Sequence, residues 1–193
     1  MMYDDLEATG HKYWIPIPLD VPPDALYQHL LERFRGTASE DSVANNASAM
    51  MGVANELRDP RNTEESTQNL AAWAMVREPD ALEVHGFATL RASVIERGTT
   101  TDECIRGLME DQPLYQDPVV MTMETMSGDA TSLRYRPMVE DQGETQVHQV
   151  TAVLWPRPDE RLLFTLTNYC LDLVEAAEIG DRLDELGAGI KGL

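Results

Sequence analysis

The sequence is poor in basic residues, and this shortage limits the partners it can have. Lysine and arginine together number 15, against 34 aspartates and glutamates, which gives a formal net charge of −19. Phosphate backbones and anionic lipid surfaces are bound by clustered lysine and arginine, so we expect neither nucleic acid nor a membrane among its partners. The surplus of carboxylates favours solubility first and a basic partner second.

Long apolar runs are missing as well. No segment approaches the ~18 consecutive apolar residues of a membrane-spanning helix. The opening stretch MMYDDLEATG has neither a basic region nor an apolar core, so it does not resemble a secretory signal peptide. We therefore expect a cytoplasmic protein with a single domain over residues 1–193, in which residues 1–20 form an N-terminal arm or edge strand.

Cysteine is equally scarce. Cys104 and Cys170 are the only two, and neither belongs to a CxxC pair or to a cysteine–histidine cluster with metal-binding spacing. We expect buried, reduced thiols and no metal or other cofactor. Cys104 could be drawn with His85 or His148 as a thiol–base pair, but sequence spacing says nothing about their distance. The prediction is a protein that is not an enzyme.

One nucleotide-binding pattern is present in the wrong context. Gly187, Gly189 and Gly192 satisfy the spelling GxGxxG, but a dinucleotide fingerprint needs a strand before it and a helix after it. Here a predicted helix precedes the glycines, so we interpret them as helix-terminating residues.

Apolar residues at intervals of three and four predict four helices. The predicted helical segments are 20–36, 41–57, 100–111 and 172–190. Thr100 and Glu103 stand in capping-box register at the start of the third segment, and Asp172 and Glu175 form a similar pair at the start of the fourth.

Alternating apolar and polar residues, with short turn-bounded runs, predict the strands. Residues 11–19 are predicted to form an edge strand or an extended arm, and the strand segments predicted after them are 71–77, 82–94, 118–126, 130–139, 145–155 and 161–169. The last four are joined by connections so brief that neighbours must run antiparallel. Both faces of the last two strands are apolar, so helices must cover each face. The predicted fold is an α/β (α+β) three-layer α/β/α sandwich with a mainly antiparallel sheet of about six strands.

The turn between the last two strands is the best marker of this fold. It lies in AVLWPRPDERLLFTLT, residues 152–167, where two prolines separate two apolar runs. Pro156 and Pro158 end the ladder hydrogen bonding, and Pro158 suits the first corner of a type I turn. We interpret the segment as a corner of the fold and not as a site.

Residues 150–190 resemble the C-terminal part of a group of uncharacterised bacterial proteins with the PsbP-like fold. The similar stretches are WPRP, LLFTLT and DRLDELGAGI, and GDATSLRYRP at residues 128–137 is similar to a further strand of that group. The wider fold includes the extrinsic photosystem II protein and a Ran-binding nuclear transport factor, which act through protein contacts. The resemblance implies an antiparallel sheet between helices and a binding role without shared catalytic residues.

Arg134, Arg136 and His148 are the candidate ligand-binding residues. The two arginines share a face of their predicted strand, and the following turn returns the chain past them. The number of residues in that turn decides whether His148 faces the arginines or faces Tyr135 and Pro137. Either the arginines bind a carboxylate or phosphate group of a ligand, or they pair with carboxylates of a covering helix.

We expect the bulky apolar residues to serve packing before binding. We expect the three tryptophans in the core or at layer edges. The methionines at 121, 123 and 126 are expected to fill core space, whereas an exposed methionine stripe would indicate a groove for a protein partner.

These patterns favour two functions over a third, a hydrolase. The first is a non-catalytic protein-interaction or adaptor module, of a secretion-associated or regulatory assembly, that binds through the sheet edge near residues 13–17 or through acidic helix faces. The second is a small anionic ligand-binding protein that uses Arg134, Arg136 and His148. In both cases we expect a monomer or a weak homodimer.

Overall fold

The structure of the protein, a computed structural model, describes residues 6–8, 12–19, 21–59, 61, 66–78, 82–110, 112–141 and 143–193. In these residues the helices are α1 (Pro23–Arg33), α2 (Glu40–Arg58), α3 (Thr101–Met109) and α4 (Ala176–Ala188). The strands are β1 (Glu7–Ala8), β2 (Trp14–Ile17), β3 (Thr67–Val76), β4 (Val84–Val94), β5 (Val119–Thr125), β6 (Gly128–Tyr135), β7 (Met138–Asp141), β8 (Glu144–Val147), β9 (Gln149–Arg157), β10 (Leu162–Cys170) and β11 (Ile190–Lys191).

Among the described residues, seven strands form one sheet in the order β2-β3-β4-β10-β9-β6-β5. All neighbouring pairs in it are antiparallel, as the brief connections predict. The sheet is one strand wider than the predicted six because β2 pairs with β3 despite Pro16. An edge position tolerates a proline, since its missing N–H can face away from the neighbouring strand.

Helices cover both faces of this sheet, which confirms the predicted three-layer sandwich. On one face, Trp155 of β9 packs in the same cluster as Leu183 of α4. On the other face, α1 and α2 cover β2 and β3, where Met50 lies in the core. The same face carries α3 over β6 and β9, with Ile105 clustered against Leu154. The apolar residues on both parities of β9 and β10 are therefore buried by different helices.

The strand predicted over 130–139 is interrupted. β6 ends at Tyr135, and the chain continues into β7, which pairs with β8 in a separate two-stranded hairpin. Pro137 has no N–H to donate to a ladder, which favours a break at this point. Its carbonyl oxygen still accepts a hydrogen bond from the His148 amide at 3.1 Å. His148 therefore lies opposite Pro137 at the base of the hairpin.

Two predicted helix starts have different outcomes. The capping box of α3 is present, because the Thr100 side chain accepts from the Glu103 amide and the Glu103 carboxylate accepts from the Thr100 amide. These hydrogen bonds hold the pKa of Glu103 below its ordinary value. The pair before α4 is not a capping box. Glu175, the residue at the helix start, makes no side-chain cap, and Asp172 instead accepts from the Val174 amide at 2.8 Å.

The proline-rich turn is a corner, with one correction to the predicted strand end. β9 continues through Pro156, which lies opposite Leu163 in the sheet, to Arg157. The Glu160 amide donates to the Arg157 carbonyl at 3.0 Å, so Pro158 occupies the first corner of the turn as predicted.

The predicted N-terminal arm is described only in part, since residues 1–5, 9–11 and 20 lie outside the described residues. Its described portions are strands: β1 pairs with β11, and β2 is an edge of the main sheet. None of the helices in the described ranges is long and apolar enough to cross a membrane.

Candidate functional site

Arg134 is engaged by α4. Its Nη2 lies 2.8 Å from the Asp181 carboxylate and 2.6 Å from the Asp184 carboxylate, and Asp184 also accepts a 2.7 Å hydrogen bond from the Ser132 hydroxyl. Burial opposes the charge on Arg134, but the two carboxylates outweigh it and hold the pKa of Arg134 above its ordinary value. For this residue the structure matches the second alternative, pairing with a covering helix.

The close approach of α4 depends on Gly180. A Cβ at this position would lie 3.2 Å from Cζ of Arg134 and 3.3 Å from the Thr151 hydroxyl. The helix thus rests directly on the guanidinium group. Within the described residues, Nε of Arg134 is buried without a hydrogen-bond partner, so the pairing uses one side of the group only.

Arg136 shares the sheet face of Arg134 but contacts neutral groups. Its Nε donates to the Gln149 side-chain oxygen at 3.1 Å, and its Nη1 donates to the Gln116 side-chain oxygen at 3.4 Å. None of the carboxylates in the described ranges forms an ion pair with it. Arg136 is a half-buried cation with amide partners.

His148 lies on the opposite face. Because Arg134 is paired with Thr151 and Tyr135 with Val150, the alternation of the strand directs His148 to the Tyr135 side. Its ring meets the Tyr169 ring edge-on, with centroids 4.8 Å apart, and Nε2 lies 3.3 Å from the Gln146 side-chain oxygen. The structure therefore brings the two arginines together but does not place His148 with them.

Most apolar side chains of the β2 edge are buried and cannot contact a partner. Trp14, Ile15 and Ile17 are buried, and the exposed residue between them is Pro16. The Trp14 indole donates to a main-chain oxygen of α4, that of Arg182, at 2.9 Å. A short strand with an exposed proline gives a partner strand few hydrogen bonds.

The β5 edge, at the other side of the sheet, is exposed and apolar. Val119, Val120 and Met121 are 46%, 49% and 42% exposed, and Met126 in the following turn is exposed too. Met123 alone of the three methionines packs against the core, so the prediction of core filling was wrong for Met121 and Met126. β5 also lacks the proline and lysine residues with which edge strands are commonly protected.

Acidic side chains surround this edge. Asp117, Glu124 and Asp129 are exposed, and none of them pairs with a basic side chain in the part of the chain that the structure describes. An apolar strand with unpaired backbone groups and uncompensated carboxylates is the surface of this molecule best suited to a protein partner.

A groove of about 760 Å³ opens on the face that carries α2 and α3. These two helices form its walls, and parts of the central strands β4 and β10 form its floor. Sequence patterns did not indicate this groove. Its floor residues alternate like those of any strand, and the groove exists because of where the helices dock.

Neither cysteine lines this groove. Cys104 and Cys170 are both buried free thiols, as predicted. Burial removes each thiol from water and is the main cause that raises its pKa. Neighbouring carboxylates raise the pKa further. A raised pKa favours the protonated thiol, which is the less nucleophilic form.

These thiols predict a loss of stability in alkali. Their pKa is higher in the folded than in the unfolded chain, so as the pH rises above about 8.5 the unfolded thiols lose protons first and unfolding becomes easier. We expect the urea midpoint to fall between about pH 8 and pH 10. The double variant Cys104→Ala/Cys170→Ala should show a shallower fall over the same range. Equal slopes for both proteins would contradict this assignment.

Comparison with known proteins adds little to this geometry. No protein-family model matches the sequence, and no curated protein matches it. Among solved structures, the chain is similar to LpqN, described as involved in cell envelope biogenesis of Mycobacterium tuberculosis. The identity is 12%, the match covers 67% of this chain and 79% of LpqN, and the TM-score is 0.37. Likeness at this level transfers neither a ligand nor a partner. The relationship to the PsbP-like group stays a prediction.

Proposed function

We propose that the protein is a non-catalytic interaction module that binds an extended, basic segment of a partner protein along β5. The observation that carries the proposal is an exposed apolar edge strand, seven residues long, in a sheet whose other edge carries a proline. The proposal changes the predicted binding edge from residues 13–17 to residues 119–125.

Strand addition explains both the affinity and the selectivity of such a site. The open side of β5 presents unpaired backbone N–H and C=O groups, which an incoming strand satisfies as the next strand of the sheet. Val120 and Met121 point to opposite faces, so the partner gains apolar contacts above and below the sheet. Asp117, Glu124 and Asp129 favour lysine and arginine in the partner. A second copy of this chain, with its own charge of −19, is repelled.

A defined peptide tests the proposal. A fluorescently labelled peptide of alternating valine and lysine should bind, as measured by anisotropy, because it supplies backbone pairing, apolar contacts and positive charge together. Its control alternates valine with glutamate and should bind at least about tenfold more weakly, owing to repulsion by the edge carboxylates. Hydrogen exchange should show new protection in residues 119–125 when the lysine peptide is bound.

Matched variants separate edge binding from general attraction to an acidic protein. Val120→Lys places a repelling charge on the edge and should weaken the lysine peptide at least about tenfold. Val94→Lys introduces the same charge at an exposed valine outside β5 and should leave the affinity within about twofold. Equal losses in the two variants would reject the β5 site. If the wild-type protein dimerises and Val120→Lys abolishes the dimer, β5 binds a second copy of this chain and not a separate partner protein.

In this proposal the protein lies in the cytoplasm and acts as an adaptor of a secretion-associated or regulatory assembly. The acidic composition and the similarity of residues 150–190 to the PsbP-like group support it. The alternative function, anion binding by Arg134, Arg136 and His148, has less support, since Arg134 is paired with α4 and His148 faces the other side.

A further inference from the structure

The floor of the groove between α2 and α3 is aromatic at one end and becomes polar towards the other. At one end Tyr135, Val150 and Tyr169 lie opposite one another on β6, β9 and β10, and Phe87 lines the same end on β4. Three aromatic rings therefore gather around one end of the groove. Flat aromatic surfaces contact apolar rings and chains over a large area, at little cost in side-chain entropy.

The floor becomes polar along β4. Thr89 and Thr167 are paired across β4 and β10, and their hydroxyl oxygens lie 3.1 Å apart. Two residues further along β4, Arg91 is paired with Thr165. The distance along the strand from Phe87 to Arg91 is about 13 Å, at ~3.3 Å per residue. Aromatic, hydroxyl and cationic groups thus follow one another in this order.

Arg91 is available to a ligand. It is exposed, and within the described residues it forms neither an ion pair nor a side-chain hydrogen bond. It is also the one lysine or arginine among the described residues that line the groove. In a chain with 34 acidic side chains, a guanidinium without a carboxylate partner keeps its full hydrogen-bonding capacity for an anion.

The walls restrict the charge of that anion. Glu56 of α2 and Glu110, which follows α3, also line the groove. Burial, aided by the Glu110 charge, raises the pKa of Tyr135, whose protonated hydroxyl donates to the Leu108 carbonyl at 3.0 Å. The aromatic end is therefore uncharged and lies beside a negative charge. A ligand with several negative charges is repelled, whereas a single carboxylate can sit at Arg91.

We infer that this groove binds an elongated amphipathic carboxylate, with its carboxylate paired to Arg91 and its apolar body on Phe87, Val150 and Tyr169. The volume of about 760 Å³ lies within the range of small-molecule sites. The site is separate from β5, which borders the sheet on the far side of β6. It does not depend on the proposed function.

Dansyl-aminoundecanoic acid is a suitable probe, because it carries an aromatic group at one end and a carboxylate at the other. We expect its fluorescence to increase on binding. Its methyl ester has the same body without the charge and should bind about tenfold more weakly. Arg91→Ala should weaken the acid about tenfold and leave the ester unchanged, so that the difference between the two disappears.

Two further variants complete the test. Arg97→Ala removes another exposed arginine, one outside the groove, and should leave both affinities unchanged. Tyr169→Ala, at an exposed position, should weaken acid and ester alike by several-fold. Thermal melts of Arg91→Ala and Arg97→Ala should match the wild type, since both arginines are exposed. Tyr169→Ala also loses the ring contact with His148 and should melt slightly lower. No binding of the acid, equal binding of acid and ester, or equal losses in Arg91→Ala and Arg97→Ala would each overturn the inference.

Discussion

Replacing Trp155 with alanine is expected to lower the free energy of unfolding by about 3–5 kcal/mol, the usual cost of removing a buried aromatic side chain. Trp155 is fully buried between the sheet and α4. A Cβ added at Gly187 of α4 would lie 3.5 Å from the indole ring, which shows how closely the helix rests on it. The indole N–H also donates to the Thr125 hydroxyl at 2.9 Å and links β9 to the β5–β6 hairpin.

Urea unfolding followed by circular dichroism measures this loss. Trp155→Phe keeps most of the apolar volume and should cost clearly less than the alanine variant. Val94→Ala, at an exposed position, should change the free energy of unfolding by no more than about 0.5 kcal/mol. A loss below about 1 kcal/mol in Trp155→Ala would mean that α4 does not close over the indole.

The same residue illustrates why the layers could be predicted from sequence. Trp155 and Leu154 are neighbours on β9, point to opposite faces and are both apolar, so each face needed cover. The amphipathic segments near 41–57, 100–111 and 172–190 supplied the covering helices. Patterns with a period of two or of 3.6 residues are local, and the three-layer sandwich follows directly from them.

The exposed edge could not be predicted in this way. The composition of β5, VVMTMET, suits a buried strand as well as an edge strand, and its place in the sheet is set by pairing with β6 alone. Strand order is a long-range property: β10 separates β4 from β9, although β9 precedes it directly in the chain. Met121 and Met126 are exposed although α4 ends beside this edge, where the Met126 amide donates to the Ala188 carbonyl at 3.0 Å.

Two other features also depend on how distant segments of the chain pack together. The sequence alone does not determine which side of the sheet His148 faces, because this depends on the break at Pro137 and on the separate β7–β8 hairpin. The groove lies over β4 and β10 because α2 docks towards β3 and α3 towards β6 and β9. Arg91 carried no signal of its own, since an arginine on an alternating strand is ordinarily a solvated surface residue.

Replacing Arg134 with methionine is expected to lower the free energy of unfolding by about 2–3 kcal/mol. Methionine keeps the apolar stem but leaves the Asp184 carboxylate, which is mostly buried at 21% exposed, without its cation. The Ser132 hydroxyl is then its remaining hydrogen-bond donor in the described residues. The cost arises from a buried charge that has lost its partner, more than from the net value of the ion pair.

Two further variants distinguish that explanation from simple loss of attraction. Asp181 is 74% exposed, so Asp181→Ala should cost no more than about 0.5 kcal/mol, although its carboxylate lies only 2.8 Å from Arg134. The double variant Arg134→Met/Asp184→Leu removes both charges and should recover most of the lost stability, measured by urea unfolding. If it stays as unstable as Arg134→Met, the ion pair itself holds α4 on the sheet. Recovery would instead show that the apolar contacts of α4 suffice, and that Arg134 and Asp184 mainly neutralise each other.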